Sequence, residues 1–265
     1  MAAVAVMAGF PKLWAQATPT AKELVHTMIE NERVAELHRP FYSYLSVEKS
    51  ARTNGHFWTE HVVETSRGRV RFLVAEDEKP LGPERVAQER GRLAAILKNP
   101  AEFEAKEKAQ KDDEGHAKQM LELLGKAYLL ENLRVEGTDW KMDFRPDPGY
   151  SPNGIEEKVL HGMSGSLLID QQQIRLHHVE GRIAQDVGIG FGLLATVHAG
   201  SHFLTTKAPF EGQWRTVRVV SDMQGKVAMF KSMAKDQDVT RSLFHRVDDS
   251  LDLAAAVAMA EEPAA

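Results

Sequence analysis

The chain has 265 residues, 43% hydrophobic and 27% charged, with a net charge of −5 and no cysteine. That balance excludes a globally disordered protein, and the mixed charges leave no basic stripe for nucleic acid and argue against an anionic membrane surface. Without cysteine there is no disulfide, no thiolate nucleophile, no cysteine-based zinc or iron–sulfur site and no lipobox anchor.

The first segment, Met1 to Phe10, is apolar, and Ala15-Gln16-Ala17 places small residues where a signal peptidase reads them. Residues 1–17 are therefore expected to be a signal peptide, with a mature chain near Thr18 and a periplasmic or exported location. The missing positively charged leader region points to a true start upstream of Met1; the competing reading of the segment is a buried first strand or helix. No other segment approaches the roughly 18 apolar residues of a membrane span.

Thr20 to His38 has helical periodicity, with Thr20 and Glu23 spaced as a capping box and Leu24, Val25, Met28, Ile29 and Ala35 on one side. Pro40 ends it. Strands are expected over Phe41–Glu48, His56–Thr65 and Arg69–Ala75, with turns at Asn54-Gly55 and Arg67-Gly68.

From 82 to 130 the period becomes helical. Pro83–Lys98 carries Val86, Leu93, Ile96 and Leu97 on a helix. Ala101–Asp113 is nearly all charge, with Glu102/Lys106, Glu104/Lys108 and Glu107/Lys111 as i,i+4 pairs, and reads as a solvated helix. Ala117–Leu130 is apolar again. This is a helical insertion inside a single domain spanning 18–248, and residues 249–265 are expected to be a flexible alanine-rich tail.

Between Trp140 and Trp214 side chains alternate with a period of two, beginning with Trp140-Lys141-Met142-Asp143-Phe144-Arg145. About eight strand candidates follow the insertion, the last being Gln213–Ser221, Lys226–Met233 and Arg241–Val247, with polar Ala234–Val239 between the final two. The fold class expected is α+β: a strongly curved antiparallel sheet of about 11–12 strands, an incomplete β-barrel covered by the N-terminal helix.

Catalytic and metal constellations fare poorly. His198 and His202 lie about 13 Å apart on one strand and converge only if Ala199-Gly200-Ser201 turns. His177 and His178 point to opposite faces, and no H-x-H or H-E-x-x-H pattern occurs. Asp112-Asp113-Glu114 and Asp236-Gln237-Asp238 lack the spacing of a calcium loop. Ser164 and Ser201 stand in no G-x-S-x-G elbow, and Gly188-Ile189-Gly190-Phe191-Gly192 sits in no βαβ unit. No enzyme, metal or cofactor is expected. The large apolar side chains on strands are ordinarily core. A curved sheet covered by one helix also leaves a concavity suited to an apolar ligand, for which Trp58, Trp140, Met142, Phe144, Leu167, Ile169, Phe203, Trp214 and Phe230 are the candidates.

Three runs carry a family resemblance: Trp140 to Tyr150, Val159-Leu160-His161-Gly162-Met163-Ser164-Gly165-Ser166-Leu167-Leu168-Ile169-Asp170, and Val187-Gly188-Ile189-Gly190. The stretch from Gly125 to Trp214 resembles an exported bacterial family of the Acidobacteria type, similar to the LolA/LolB lipoprotein-carrier fold. It departs at Leu168, where that family has tryptophan. The resemblance implies a half-barrel with an apolar cavity and a non-enzymatic periplasmic carrier of a lipid, lipoprotein or other apolar or acylated cargo, with peripheral envelope contact. The alternative is a structural or interaction protein of the cell envelope with a self-filled core; an enzyme is third and requires His198, His202 and a carboxylate to meet. The oligomeric state is not legible in the sequence.

Overall fold

The computed structural model describes residues 18–189, 195–227 and 236–264. Helix α1 (Ala21–Leu37) begins with the expected capping box: Thr20 accepts from the Glu23 amide, and the Glu23 carboxylate accepts from the Thr20 amide. Strands β1 (Tyr42–Ser50), β2 (Trp58–Thr65), β3 (Gly68–Glu76) and the short β4 (Lys79–Pro80) follow. Asn54 and Gly55 take left-handed backbone in the first connection, as an Asn-Gly turn demands. The insertion is two helices, α2 (Pro83–Lys98) and α3 (Pro100–Leu124), each with proline in its first turn.

The chain continues through β5 (Tyr128–Glu136), β6 (Asp139–Pro146), α4 (Gly154–His161), β7 (Met163–Asp170), β8 (Leu176–Ile183), β9 (Val187–Ile189), β10 (Ala195–Val197), β11 (His202–Phe210), β12 (Gln213–Asp222), β13 (Gly225–Val227), β14 (Gln237–Arg246) and α5 (Leu253–Glu261). Eleven strands form one curved antiparallel sheet in the order β4-β3-β2-β1-β14-β12-β11-β8-β7-β6-β5; β9, β10 and β13 make a small second sheet. The large sheet does not close on itself, so the fold is the α+β open half-barrel that the alternation implies.

Register fixes which side chains share a face. Pairing runs unbroken from Met142 through Leu167, Val179, Thr205, Val219, Val239 and Glu48 to Trp58. A second row runs Phe144, Gly165, Gly181, Phe203. The two glycines are needed there. A Cβ at Gly165 would stand 1.9 Å from the Glu180 carbonyl oxygen, and one at Gly181 2.4 Å from the Phe203 ring, which lies over it.

Three expectations need correction. The tail is no flexible segment: Asp252 caps α5, and Leu253, Ala256, Val257 and Ala260 are buried against Val63, Val70, Phe72 and Leu93. A helix that is apolar all round is stable only when buried. The charged stretch of the insertion is continuous with the apolar one in α3, and its Glu107 is buried against β3, where Arg71 holds it. The second half of the polar separator before the last strand, residues 237–239, belongs to β14, and residues 234–235 lie outside the described residues. Of the Lys226–Met233 strand, β13 holds the first two residues and the remainder lies outside the described residues.

Candidate functional site

One end of the long face is apolar. Met142, Phe144, Leu167 and Ile169 meet Leu24, Val25 and Met28 of α1, Met120, Leu123 and Leu124 of α3, and Val159 and Leu160 of α4 in a single buried cluster. Four methionines, Met28, Met120, Met142 and Met163, lie within it. Their unbranched, polarisable side chains fit irregular neighbours. Tyr128 stands edge-on to Phe144, 5.2 Å between centroids, and donates to the Leu160 carbonyl; burial pushes its phenol well above the usual tyrosine range.

The other end of the same face is ionic. By alternation Glu60, Val62 and Glu64 share the face of Trp58 on β2, while His61 and Val63 face α5. Buried Glu64 accepts from Arg39 at 2.6 Å, from Arg215 at 2.9 and 3.0 Å, and from the Tyr42 amide at 3.2 Å. The Arg215 guanidinium also stacks 4.4 Å above the Tyr42 ring. Arg52 grips Glu60 through two hydrogen bonds, at 2.6 and 2.9 Å, and Glu48 through two more, at 2.7 and 3.2 Å. Burial lowers the Arg52 pKa, but its two carboxylates outweigh that and raise it.

The covering helices are latched to the sheet by the same device. Glu107 of α3 accepts from Arg71 at 2.7 Å and from the Arg69 amide at 2.9 Å. Glu32 of α1 accepts from Arg175 at 2.7 and 3.3 Å, from the Leu176 amide at 3.1 Å, and from Lys207. Burial pushes each of these carboxyls up, yet Arg175 and Lys207 at Glu32, and Arg71 with the Arg69 amide at Glu107, prevail and hold both below the ordinary range. Asn31 adds two hydrogen bonds to the carbonyls of Gln173 and Ile174.

Beside this latch lies an open groove of about 370 Å³, lined by residues including Asn31, Val34, Ala35, His38 and Arg175. A second space of about 40 Å³ sits among Glu32, Arg39, Arg175, Lys207, Trp214 and Arg215. Val34 and Leu37, on the second half of α1, are exposed.

The nine cavity candidates divide accordingly. Met142, Phe144, Leu167 and Ile169 come together and are covered by helices; Trp140 and Phe203 pack half-buried at the cluster's edge. Trp58 shares their face but lies across the sheet, under Arg52 and Arg85 and bonded to Glu76. Trp214 donates to the Gln173 side chain at 2.8 Å and stands against the His177 ring. Phe230 lies outside the described residues.

The segment after His198 does turn, at Gly200, but His198 pairs with Asp186 at 3.1 Å and His202 approaches Asp222 at 3.9 Å, two different partners. Ser201 is buried and bonded to the Gln224 backbone. Among the described residues no group of three histidines or carboxylates is placed to hold a metal, and no helix is long and apolar enough to cross a membrane.

The chain matches no protein-family model, no curated protein and no solved structure. Sequence reasoning missed Glu32, Arg175 and Lys207. One signal was present: Glu32 continues the apolar stripe of α1, four residues after Met28, where a solvated helix face would not place it. Its partners are 143 and 175 residues away and carry no local mark.

Proposed function

We propose that this protein is a non-enzymatic binder or carrier of an apolar ligand, a lipid or acylated cargo, held on the apolar face of the half-barrel after α1 yields its place. The observation that carries the reading is the cover itself. Of the three helices over the methionine-lined cluster, α1 contributes Leu24, Val25 and Met28 from its first half, while its second half is fastened by polar contacts through Asn31 and Glu32. An apolar surface rich in methionine readjusts to a new occupant at small cost. The reading includes export through residues 1–17, so the processed chain is expected to begin at Thr18, which intact-mass measurement of the exported protein checks.

Displacement of a neutral fluorescent probe by lipids, with native mass spectrometry of the gently purified protein, tests the binding. Saturable one-to-one binding supports a carrier; no bound species and no displacement at any lipid overturns it. A second reading, an envelope interaction protein with a self-filled core, is favoured by the burial of Met142, Phe144, Leu167 and Ile169 under the protein's own helices. It expects no saturable lipid binding and amide protection in α1 that lipid leaves unchanged.

A further inference from the structure

The side of α1 that meets the sheet ends in a carboxylate. Val25, Met28 and Glu32 stand at i, i+3 and i+7, so one stripe of the helix carries two apolar side chains and then an acid. The apolar pair is fully buried in the cluster with Met142 and Leu167, and the Glu32 side chain is only 10% exposed. From Leu24 to Glu32 the helix rises about 12 Å, roughly the length of an extended medium-chain alkyl group.

Every donor to the Glu32 carboxylate comes from the sheet side. Arg175 gives two hydrogen bonds, the Leu176 amide one, and Lys207 an ion pair. Leu176 links the two surfaces, since its amide binds the acid and its side chain is buried in the apolar cluster. When α1 leaves the face, Glu32 leaves with it. Two cations and a backbone amide then stand at the rim of an apolar surface, an arrangement that is costly until another anion replaces the first. A neutral ligand leaves that charge uncompensated, and a cationic one adds repulsion.

We infer that the ligand is a medium-chain alkyl carboxylate, its chain on the Met142–Leu167 face and its head group in the clasp of Arg175, Lys207 and the Leu176 amide, with the inner stripe of α1 occupying that site as a built-in imitation. The inference rests on the reading that this face exchanges α1 for an apolar ligand. Planar carboxylate geometry suits the paired donors of Arg175, which already hold one.

Calorimetry and native mass spectrometry with dodecanoate and dodecanol, both below their aggregation concentrations, provide the test. The two ligands share a chain and differ in the head group. The full chain is expected to bind one dodecanoate roughly tenfold or more tightly than dodecanol, the scale of one charge-assisted hydrogen bond. Lys207→Met loosens the hold on Glu32 and on the ligand head group alike, so it should tighten dodecanol, leave dodecanoate nearly unchanged and reduce the preference between them by about the same factor, and Glu32→Gln should tighten both ligands several-fold by weakening the internal competitor. Equal binding of both ligands by the unaltered protein overturns the head-group assignment while leaving the apolar reading intact, and needs no variant to fold. Failure of both ligands to bind the unaltered protein and Glu32→Gln alike overturns the assignment, and the apolar reading falls with it if no lipid displaces the neutral probe either.

Discussion

One face of one sheet is filled by opposite means at its two ends. Over β6 to β8 it is covered by aliphatic and methionine side chains from three helices; over β1 and β2 Glu48, Glu60 and Glu64 with Arg39, Arg52 and Arg215 surround a small buried cluster of Tyr42, Tyr44, Val62 and Phe244. Apolar contact is non-directional, so the first end specifies an occupant by volume and tolerates exchange. Ion pairs are directional, and a buried charge that loses its partner is expensive. The second end therefore fixes a geometry that the first does not, and α1 spans both logics: apolar at its start, clasped at Glu32.

The largest effect in breaking this comparison is expected at the apolar end. Phe144→Ala removes a ring buried against Tyr128 and should cost about 3–5 kcal/mol in denaturant unfolding, while Phe144→Met, closer in volume, should cost less than about 1.5 kcal/mol. A small loss for alanine would mean that the cluster is loosely filled. At the ionic end, Glu64→Ala strands Arg215, whose side chain is 9% exposed, and should cost on the order of 3 kcal/mol. Double-mutant unfolding with Arg215→Met separates the two contributions: recovery of most of the loss identifies a stranded charge, and simple additivity rules it out.

Acid should act on the carboxylate latches and leave the apolar packing of the sheet in place. Glu32, Glu48 and Glu107 are all held below the ordinary carboxylate range, against burial that raises them, by Arg175 and Lys207, by Arg52, and by Arg71 with the Arg69 amide. A carboxyl whose pKa is lower folded than unfolded contributes stability that is complete above the ordinary range and is lost as pH falls through and below it. Hydrogen exchange between neutral pH and pH 3, corrected for intrinsic rates, should thus show α1 and the start of α3 losing protection before β6 and β7. Simultaneous loss everywhere would contradict separate latching.

Much of this architecture is legible in the sequence because its signals are local. The Thr20–Glu23 box, the alternation from Trp140, and the Asn54-Gly55 turn each lie within a few residues of what they determine. The clasps are illegible for the opposite reason. Glu107 in a run of charge looks solvated, and its burial depends on Arg69 and Arg71 some 36 to 38 residues earlier. Helix α5 is hidden in the sequence by its alanines, which give no amphipathic face. Yet Leu253 to Glu261 is apolar on every side, and such a helix persists only when buried. Among the ligand candidates Trp58 and Met142 share one face of the sheet, since they lie in one paired row. It did not reveal that the sheet's width separates them.

The smallest change probes α1 without touching either end. Thr20 and Glu23 exchange hydrogen bonds at the exposed start of the helix, so Thr20→Ala removes a cap and no buried contact. About 1 kcal/mol should be lost from the helix. If α1 unfolds only with the whole molecule, that loss appears in global stability, and all slowly exchanging amides accelerate together. If α1 leaves the sheet as a unit, as exchange for a ligand requires, the loss falls on α1 alone. Its amides should then accelerate about fivefold while those of β6, β7 and α5 stay unchanged. A uniform acceleration would tie α1 permanently to the core and remove the basis for treating the apolar face as exchangeable.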